Sequence, residues 1–362
     1  MHWDALDGLR GLAVLLVVVW HAYRLTLARD MSSLAVPTYL WPAGVARFGV
    51  DIFFVLSGML VVRSWHAARE RHDSRTQALR HYWTRRAARI LPAYWISLLV
   101  LVPVASNGLL GHPKRLFAFA TMNQYLRLDM PDRVNTVTWS LTTEWHFYIL
   151  VPLVAFLLTK VGKWPVLAAC VALSVWWYWH TPFDLPQSYL FGRLDQFVAG
   201  AIVGLIATQS VRHPLVRVVQ WPFVTPAAVA ALVAIGTYHG RWLGFGTEER
   251  FTDSLVHPAV GLLTALVMLR LMTGSCPPFL RHPVVRWFGT ISFGLYLWHY
   301  PIFDNGLRWT RDATVLPTSV SSSLALPLLF GAAVGVAWLS YVLVERPFLA
   351  RGTATRAVPT PR

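Results

Sequence analysis

The stretch LDGLRGLAVLLVVVWHAYRL, residues 6–25, decides how this chain is read. It is of membrane length, since about 20 apolar residues cross a hydrocarbon core, yet it carries Arg10 and His21. Eleven positions at 100° each return to within ~20° of the starting face, so both side chains share one side of a helix, ~16 Å apart along its axis. Ionisable residues inside a bilayer are costly and mark functional sites by default. The competing reading is structural: Arg10 snorkels to anchor the helix end, and His21 is a hydrogen-bonded packing residue.

The whole composition points the same way. Of 362 residues, 55% are hydrophobic and 14% charged, with a mean hydropathy of +0.47. A soluble globular chain has about 25% charged residues. The 18 Trp, 19 Phe and 12 Tyr fit interfacial belts and helix interiors, although Trp abundance also suits a carbohydrate surface. The net charge of +15 would suggest nucleic acid in a soluble protein, but no nucleic-acid motif and no zinc spacing appears, so neither partner is expected. Cys170 and Cys276 fall at opposite depths and are expected to be free thiols. The first apolar run follows acidic residues and continues past signal-peptide length, as an uncleaved anchor would.

Apolar runs of membrane length predict an all-α polytopic integral membrane protein with about ten transmembrane helices. They lie near residues 8–27, 47–65, 88–107, 138–158, 164–180, 189–208, 222–239, 254–273, 287–304 and 323–344, and a shorter run at 116–126 reads as re-entrant or interfacial. If the amino terminus is inside, the inner segments hold 18 Lys and Arg against 10 in the outer ones. The positive-inside rule then puts both termini in the cytoplasm. Residues 1–347 form the membrane domain, and 348–362 a short basic tail.

This topology brings polar residues of four spans to similar depth: His21, Ser57, Glu144 and His299. His21 suits general-base work, because an unperturbed imidazole titrates near working pH and a carboxylate can hold one tautomer. Glu144 is the candidate carboxylate. Ser140, Glu144 and Tyr148 recur every four positions, so they form one polar stripe, which could equally be helix glue. Ser57 precedes Gly58, but without a G-x-S-x-G elbow it is a weak nucleophile candidate. Arg85, Arg86 and Arg89 form a compact cationic group in the basic loop 69–89, fit for an anion or for lipid headgroups. Asp51, Arg193 and Asp195 make a shallower outer layer, in which Arg193 and Asp195 either hold sugar hydroxyls or neutralise each other.

Taken together, these motifs resemble the acyltransferase-3 family of integral membrane O-acyltransferases. The resemblance rests on Arg10 and His21 as R-x10-H, Phe53 to Gly58 as FF-x-x-SG, Arg85 to Tyr94 as RR-x-x-RI-x-P-x-Y, and Trp139 to Tyr148 as WSL-x-x-E-x-x-FY. Arg193 to Gly200, Tyr296 to Pro301 and Glu345 to Pro347 extend it to nearly the whole chain. It implies transfer of an acyl group, usually acetyl, from cytoplasmic acyl-CoA to a hydroxyl of a carbohydrate, such as an exopolysaccharide or lipopolysaccharide repeat unit, free or lipid-linked. By that similarity His21 is the catalytic histidine, Arg10 its essential partner, and Arg85 to Arg89 a donor-binding element. Glu144 completes the catalytic set; Asp51, Ser57, Tyr148, Arg193, Asp195 and His299 are expected to face substrate. Some members carry a carboxy-terminal SGNH hydrolase-like domain; this chain stops about fifteen residues after its last motif, the expectation for a stand-alone form in a bacterial inner membrane. Direct attack by the acceptor and relay through an acylated His21 both remain open. The different-class alternative is a transporter with a His/Glu/Arg proton relay, which paired broken helices in two halves would support.

The charge asymmetry predicts a labelling pattern. Cysteine introduced at Ser74 should be shielded from an impermeant outside reagent, and cysteine at Ser188 should react. The reverse pattern would invert the topology.

Overall fold

The computed structural model describes every residue except 1–2, 27–37, 105–110, 125–133, 182–188, 210–212, 240–246, 275, 314–317 and 355–362. Ser188, the end of the 116–126 segment and several of the arginines counted above lie outside the described residues. Among those described, every regular element is helical. In hydrocarbon the backbone must satisfy its own polar groups, and the helix does so within one segment.

The ten longest helices are α1 Trp3–Thr26, α2 Gly49–Arg71, α3 Arg75–Val104, α4 Thr138–Lys160, α5 Lys163–His180, α6 Leu194–Gln209, α7 Val224–His239, α8 Thr247–Thr273, α9 Ser292–Ala313 and α10 Thr318–Ser340. Each predicted apolar run has a counterpart among them. Among the described residues, six spans are by themselves long and apolar enough to cross a membrane, and a seventh is added if Pro214–Gln220 and Val224–Tyr238, bent by 77°, count as one. The remainder fall short for physical reasons. α6 is apolar but short and is buried along most of its length, while α9 carries His299 and the charged residues Asp304 and Arg308. The short run near 116 forms the helix Pro113–Ala120, only 8 residues long. It docks on α3, where Tyr94 Oη donates to the Phe119 carbonyl at 2.8 Å and Trp95 Nε1 to that of Ala120 at 2.9 Å.

The basic segment 69–89, expected to be a loop, is helical. α2 runs on to Arg71, and α3 starts at Arg75 after a turn of three residues. Ala78, Tyr82, Arg86, Arg89 and Ala93 recur at helical spacing on one side, and Tyr82 packs edge-on to Trp65 with ring centroids 5.8 Å apart. Tyr82 Oη also donates to the Tyr148 carbonyl at 3.1 Å, tying α3 to α4. Charge at the intervening positions hides this stripe. Pro92 is carried inside α3.

α2 and α6 touch backbone to backbone. A Cβ built on Gly58 would stand 1.9 Å from the Phe197 carbonyl oxygen, and one on Gly200 would stand 1.9 Å from that of Val55. No side chain fits at either position, as at small-residue interfaces between membrane helices. Gly58→Leu should therefore destabilise the protein by about 1–3 kcal/mol, the usual cost of overpacking, whereas Gly331→Leu, with nothing within 4 Å of its Cβ position, should not. Thermal unfolding in detergent checks this, and equal melting of the two variants would refute it.

Candidate active site

α1, α2, α3, α4 and α9 surround a cavity with about 710 Å³ of empty space, its open mouth included. Three guanidinium side chains line it: Arg10 from α1, and Arg86 and Arg89 from α3. Its apolar wall is Val50, Phe53, Leu56, Leu60 and Val61, with Ile90 and Leu141. The stripe Ser140, Glu144 and Tyr148 faces it, as the four-residue spacing predicted.

Glu144 holds the wall together. Its Oε1 accepts from Ser57 of α2 and from Tyr148 one turn further along α4. The Arg86 guanidinium carbon stands 5.5 Å from the Tyr148 ring centroid, so cation, phenol and carboxylate form one chain. Ser140 Oγ meets Tyr296 Oη at 2.5 Å, and Tyr296 Oη donates to the Val137 carbonyl at 3.0 Å. Arg10 donates to Asp7 at 3.1 Å.

The cation trio differs from the expected one. Arg85 is not among the lining residues, and Arg10 takes its place beside Arg86 and Arg89. Arg86, Arg89 and Ile90 lie on the interior stripe of α3, whereas Arg85 is turned by ~100° from Arg86.

His21 lies deeper on α1. Its Nδ1 is 3.0 Å from the Val17 carbonyl oxygen and 3.0 Å from Nε2 of His299. His299 is fully buried, with its Nδ1 2.9 Å from the Leu295 carbonyl oxygen. The neighbour of His21 is thus His299 rather than the expected Glu144, which is taken up by two hydroxyls. Tyr296 joins the two groups: it lines the cavity, and its ring centroid is 5.9 Å from that of His299. The continuous helix α1 keeps Arg10 and His21 ~16 Å apart, so they act at different places. His146, given no role from sequence, meets Asn123 at 3.2 Å.

Asp51, Arg193 and Asp195 do not line the cavity; all three are buried. Arg193 Nη1 pairs with Asp51 at 2.7 Å, and Gln196 Nε2 and His257 Nδ1 meet the same carboxylate oxygen at 2.6 and 2.8 Å. Asp195 instead accepts from Ser174 at 2.8 Å. Of the two alternatives for Arg193 and Asp195, sugar binding or mutual neutralisation, the structure shows an ion pair of Arg193 with Asp51, and Asp195 lies within electrostatic reach of Arg193. The guanidinium is flanked by Phe54 and Trp139, each 5.7 Å from ring centroid to its carbon. Arg47, in the segment Thr38–Phe48 before α2, pairs with Asp253 of α8 at 3.2 Å. This cluster is a clamp holding α2, α6 and α8. Sequence reading missed Gln196 and His257; the signal for His257 was an imidazole before Pro258 inside an apolar run.

A helical membrane protein with a guanidinium-lined cavity beside a histidine pair, His299 buried and His21 half-buried, is the class that fold and site define. Residues 3–342 match the family described as an acyltransferase domain, and the chain belongs to this acyltransferase-3 family. It is 25% identical over 389 residues to the peptidoglycan O-acetyltransferase OatA of Listeria monocytogenes, covering 96% of this chain and 56% of that protein. BcsY of Komagataeibacter xylinus, provisionally named a membrane-bound transacylase, is 29% identical over 369 residues, with 94% and 81% covered. YrhL of Bacillus subtilis, provisionally named a peptidoglycan O-acetyltransferase, is 26% identical over 395 residues, with 96% and 55% covered. The chain thus spans little more than half the length of OatA and YrhL. No solved structure matches it.

The clamp generates a stability prediction. Removing one partner of a buried ion pair costs about 3–5 kcal/mol because the other charge is left uncompensated. Asp51→Ala should lower the melting temperature strongly, and Asp51→Asn, which keeps an acceptor for Gln196, should lower it less. A wild-type melting curve for Asp51→Ala would remove the clamp from the fold's supports.

Proposed function

We propose that this chain is a membrane O-acyltransferase that moves an acyl group, acetyl in the first instance, from cytoplasmic acyl-CoA to a hydroxyl of a cell-envelope carbohydrate. The observation that carries this reading is the convergence of Arg10, Arg86 and Arg89 on one cavity whose remaining wall is largely apolar. Three guanidinium groups line the wall with Glu144 as the lining carboxylate, and Asp7 pairs with Arg10 from outside it; the remaining excess of cations favours a polyanion, and Arg pairs with phosphate oxygens through a planar fork that stays charged. The apolar wall suits an uncharged arm. The residues therefore fit a donor that carries phosphates at one end and a thioester at the other.

In this reading the cavity mouth faces the cytoplasm, with ten spans, both termini on that side, and a bacterial cytoplasmic membrane as the location. Arg10, Arg86 and Arg89 bind the donor phosphates, while Ser57, Glu144 and Tyr148 shape the path inward. His21 takes the proton of the acceptor hydroxyl as its oxygen bonds to the acyl carbon. The carbon–sulfur bond breaks, and the departing thiolate receives the proton back from His21. Arg10 is a binding residue, about 16 Å by helix rise from that chemistry.

The acceptor class rests on the family resemblance and on relatives named for peptidoglycan. Purified protein, labelled acetyl-CoA and a panel of peptidoglycan, exopolysaccharide and lipopolysaccharide units test the whole reading. A correctly inserted His21→Ala protein should lose transfer by about 10²–10⁴-fold, the usual contribution of a base. Arg89→Ala should raise the apparent KM for acetyl-CoA more than it lowers kcat, and make it more salt-sensitive. Unchanged donor affinity in a folded Arg89→Ala protein would reject the donor site, and normal turnover by His21→Ala would remove that residue from the reaction.

A further inference from the structure

We infer that His299 is a positioning residue that fixes the tautomer of His21, so that Nε2 of His21 is the bare nitrogen available to a substrate; as a statement about catalysis it rests on the acyltransferase reading above. The argument is one of hydrogen-bond order. A carbonyl oxygen can only accept, and Nδ1 of His299 lies 2.9 Å from the Leu295 carbonyl oxygen. That nitrogen carries the hydrogen. In a neutral imidazole the other nitrogen is then an acceptor, so Nε2 of His299 presents a lone pair. Nδ1 of His21 is 3.0 Å from that lone pair and 3.0 Å from the Val17 carbonyl oxygen. Facing two acceptors, Nδ1 of His21 is the donor, and its Nε2 is left unprotonated.

The reversed tautomer would set a lone pair on His21 Nδ1 against two other lone pairs. Val17 belongs to the same helix and also disfavours that tautomer, sharing the selection with His299, but it does not fix α1 against its neighbour. His299 belongs to α9, so it both opposes the wrong tautomer and ties the reactive ring to a second helix. Rings enclose the pair: Tyr300 stands edge-on to His21 at 5.2 Å, and Phe303 edge-on to His299 at 6.2 Å between centroids. His299 has 0% exposure, so its nitrogens have no competing water. The chain of donors ends at the Leu295 carbonyl, which cannot take a proton. His299 therefore orients His21 and does not carry its proton away. The third group of a nucleophile–base–orienter set is commonly a carboxylate; here a neutral imidazole fills that position and brings no charge to membrane depth, where charge is costly.

The test uses the full-length protein in detergent with two readouts. Nitrogen-15 spectra of histidine-labelled wild type, with His21 assigned by its loss in His21→Gln, should show His21 protonated at Nδ1 and bare at Nε2. In His299→Leu the signal should move toward a tautomer mixture, and kcat should fall by on the order of 10²-fold, as when other orienting partners are removed, with KM for the donor little changed. His299→Gln should restore most of the activity, because its amide oxygen can accept from Nδ1; a side chain that merely filled space would be replaced better by Leu. Wild-type His21 protonated at Nε2 would overturn the inference. So would full turnover by His299→Leu, or Gln proving no better than Leu in equally stable protein. If wild type transfers no acyl group to any acceptor, the enzymatic reading fails, while the wild-type spectrum still decides the hydrogen-bond order.

Discussion

The backbone of α2 lies directly on that of α6, and most of the interior follows from this contact. Because Gly58 and Gly200 admit no side chain between the helices, the neighbours of each glycine are delivered to fixed places. Ser57, beside Gly58, meets Glu144 on α4. Two turns earlier, Asp51 reaches Arg193 at the head of α6, together with Gln196 one turn in. Lipid tails are as apolar as leucine, so helices in a membrane gain little from apolar burial alone. Close backbone packing and paired polar groups supply the order, and α2 provides both.

The charges divide accordingly. In the clamp, one Asp51 oxygen meets Arg193, Gln196 and His257, and Arg193 itself meets His257 at 2.6 Å, so the charges are closed on one another. In the cavity three guanidinium groups line the wall with Glu144, whose acceptor is occupied by hydroxyls rather than by a cation, and the buried Glu345 lies within electrostatic reach of Arg89, so cations remain in excess. Asp7 partners Arg10 from the helix end. A closed cluster stabilises; an unbalanced one is available to a ligand. That contrast separates Arg193 from Arg86 and Arg89, although all three are arginines on or beside membrane helices.

Much of this was legible in the chain itself, and the failures have physical causes. Apolar run length located the helices, and four-residue spacing put Ser140, Glu144 and Tyr148 on one face, because both depend only on local periodicity. The partners of Asp51 lie 142 to 206 positions away in sequence. No local rule reaches that far, so the clamp was read as a substrate layer. Arg85 was grouped with Arg86 and Arg89 by proximity in sequence, but the interior stripe of α3 selects Arg86 and Arg89. Loop character was assigned to 69–89 from its charge, although Ala78, Tyr82 and Ala93 already carried a helical period. His299 was recognised as a polar residue at depth, whereas its pairing with His21 depends on how α9 packs against α1.

Depth also explains why the orienting partner of His21 is not an acid. An ionised carboxylate buried between helices carries a desolvation cost that a single imidazole cannot offset unless further donors surround it. Glu144 has such donors in Ser57 and Tyr148, and it lies in the cavity with the arginines. Among the described residues, His21 has the Val17 carbonyl and His299 as hydrogen-bonding partners, with the ring of Tyr300 edge-on and Arg24 of the same helix within electrostatic reach. Neither hydrogen-bonding partner offers a hydrogen to an anion. A neutral acceptor is therefore the partner this position can hold, and two imidazoles in series provide it with each hydrogen accounted for. The cations and their counter-ions stay in the cavity, and the directional hydrogen bonds lie deeper, so α1 can carry Arg10 and His21 on one face without either compromising the other.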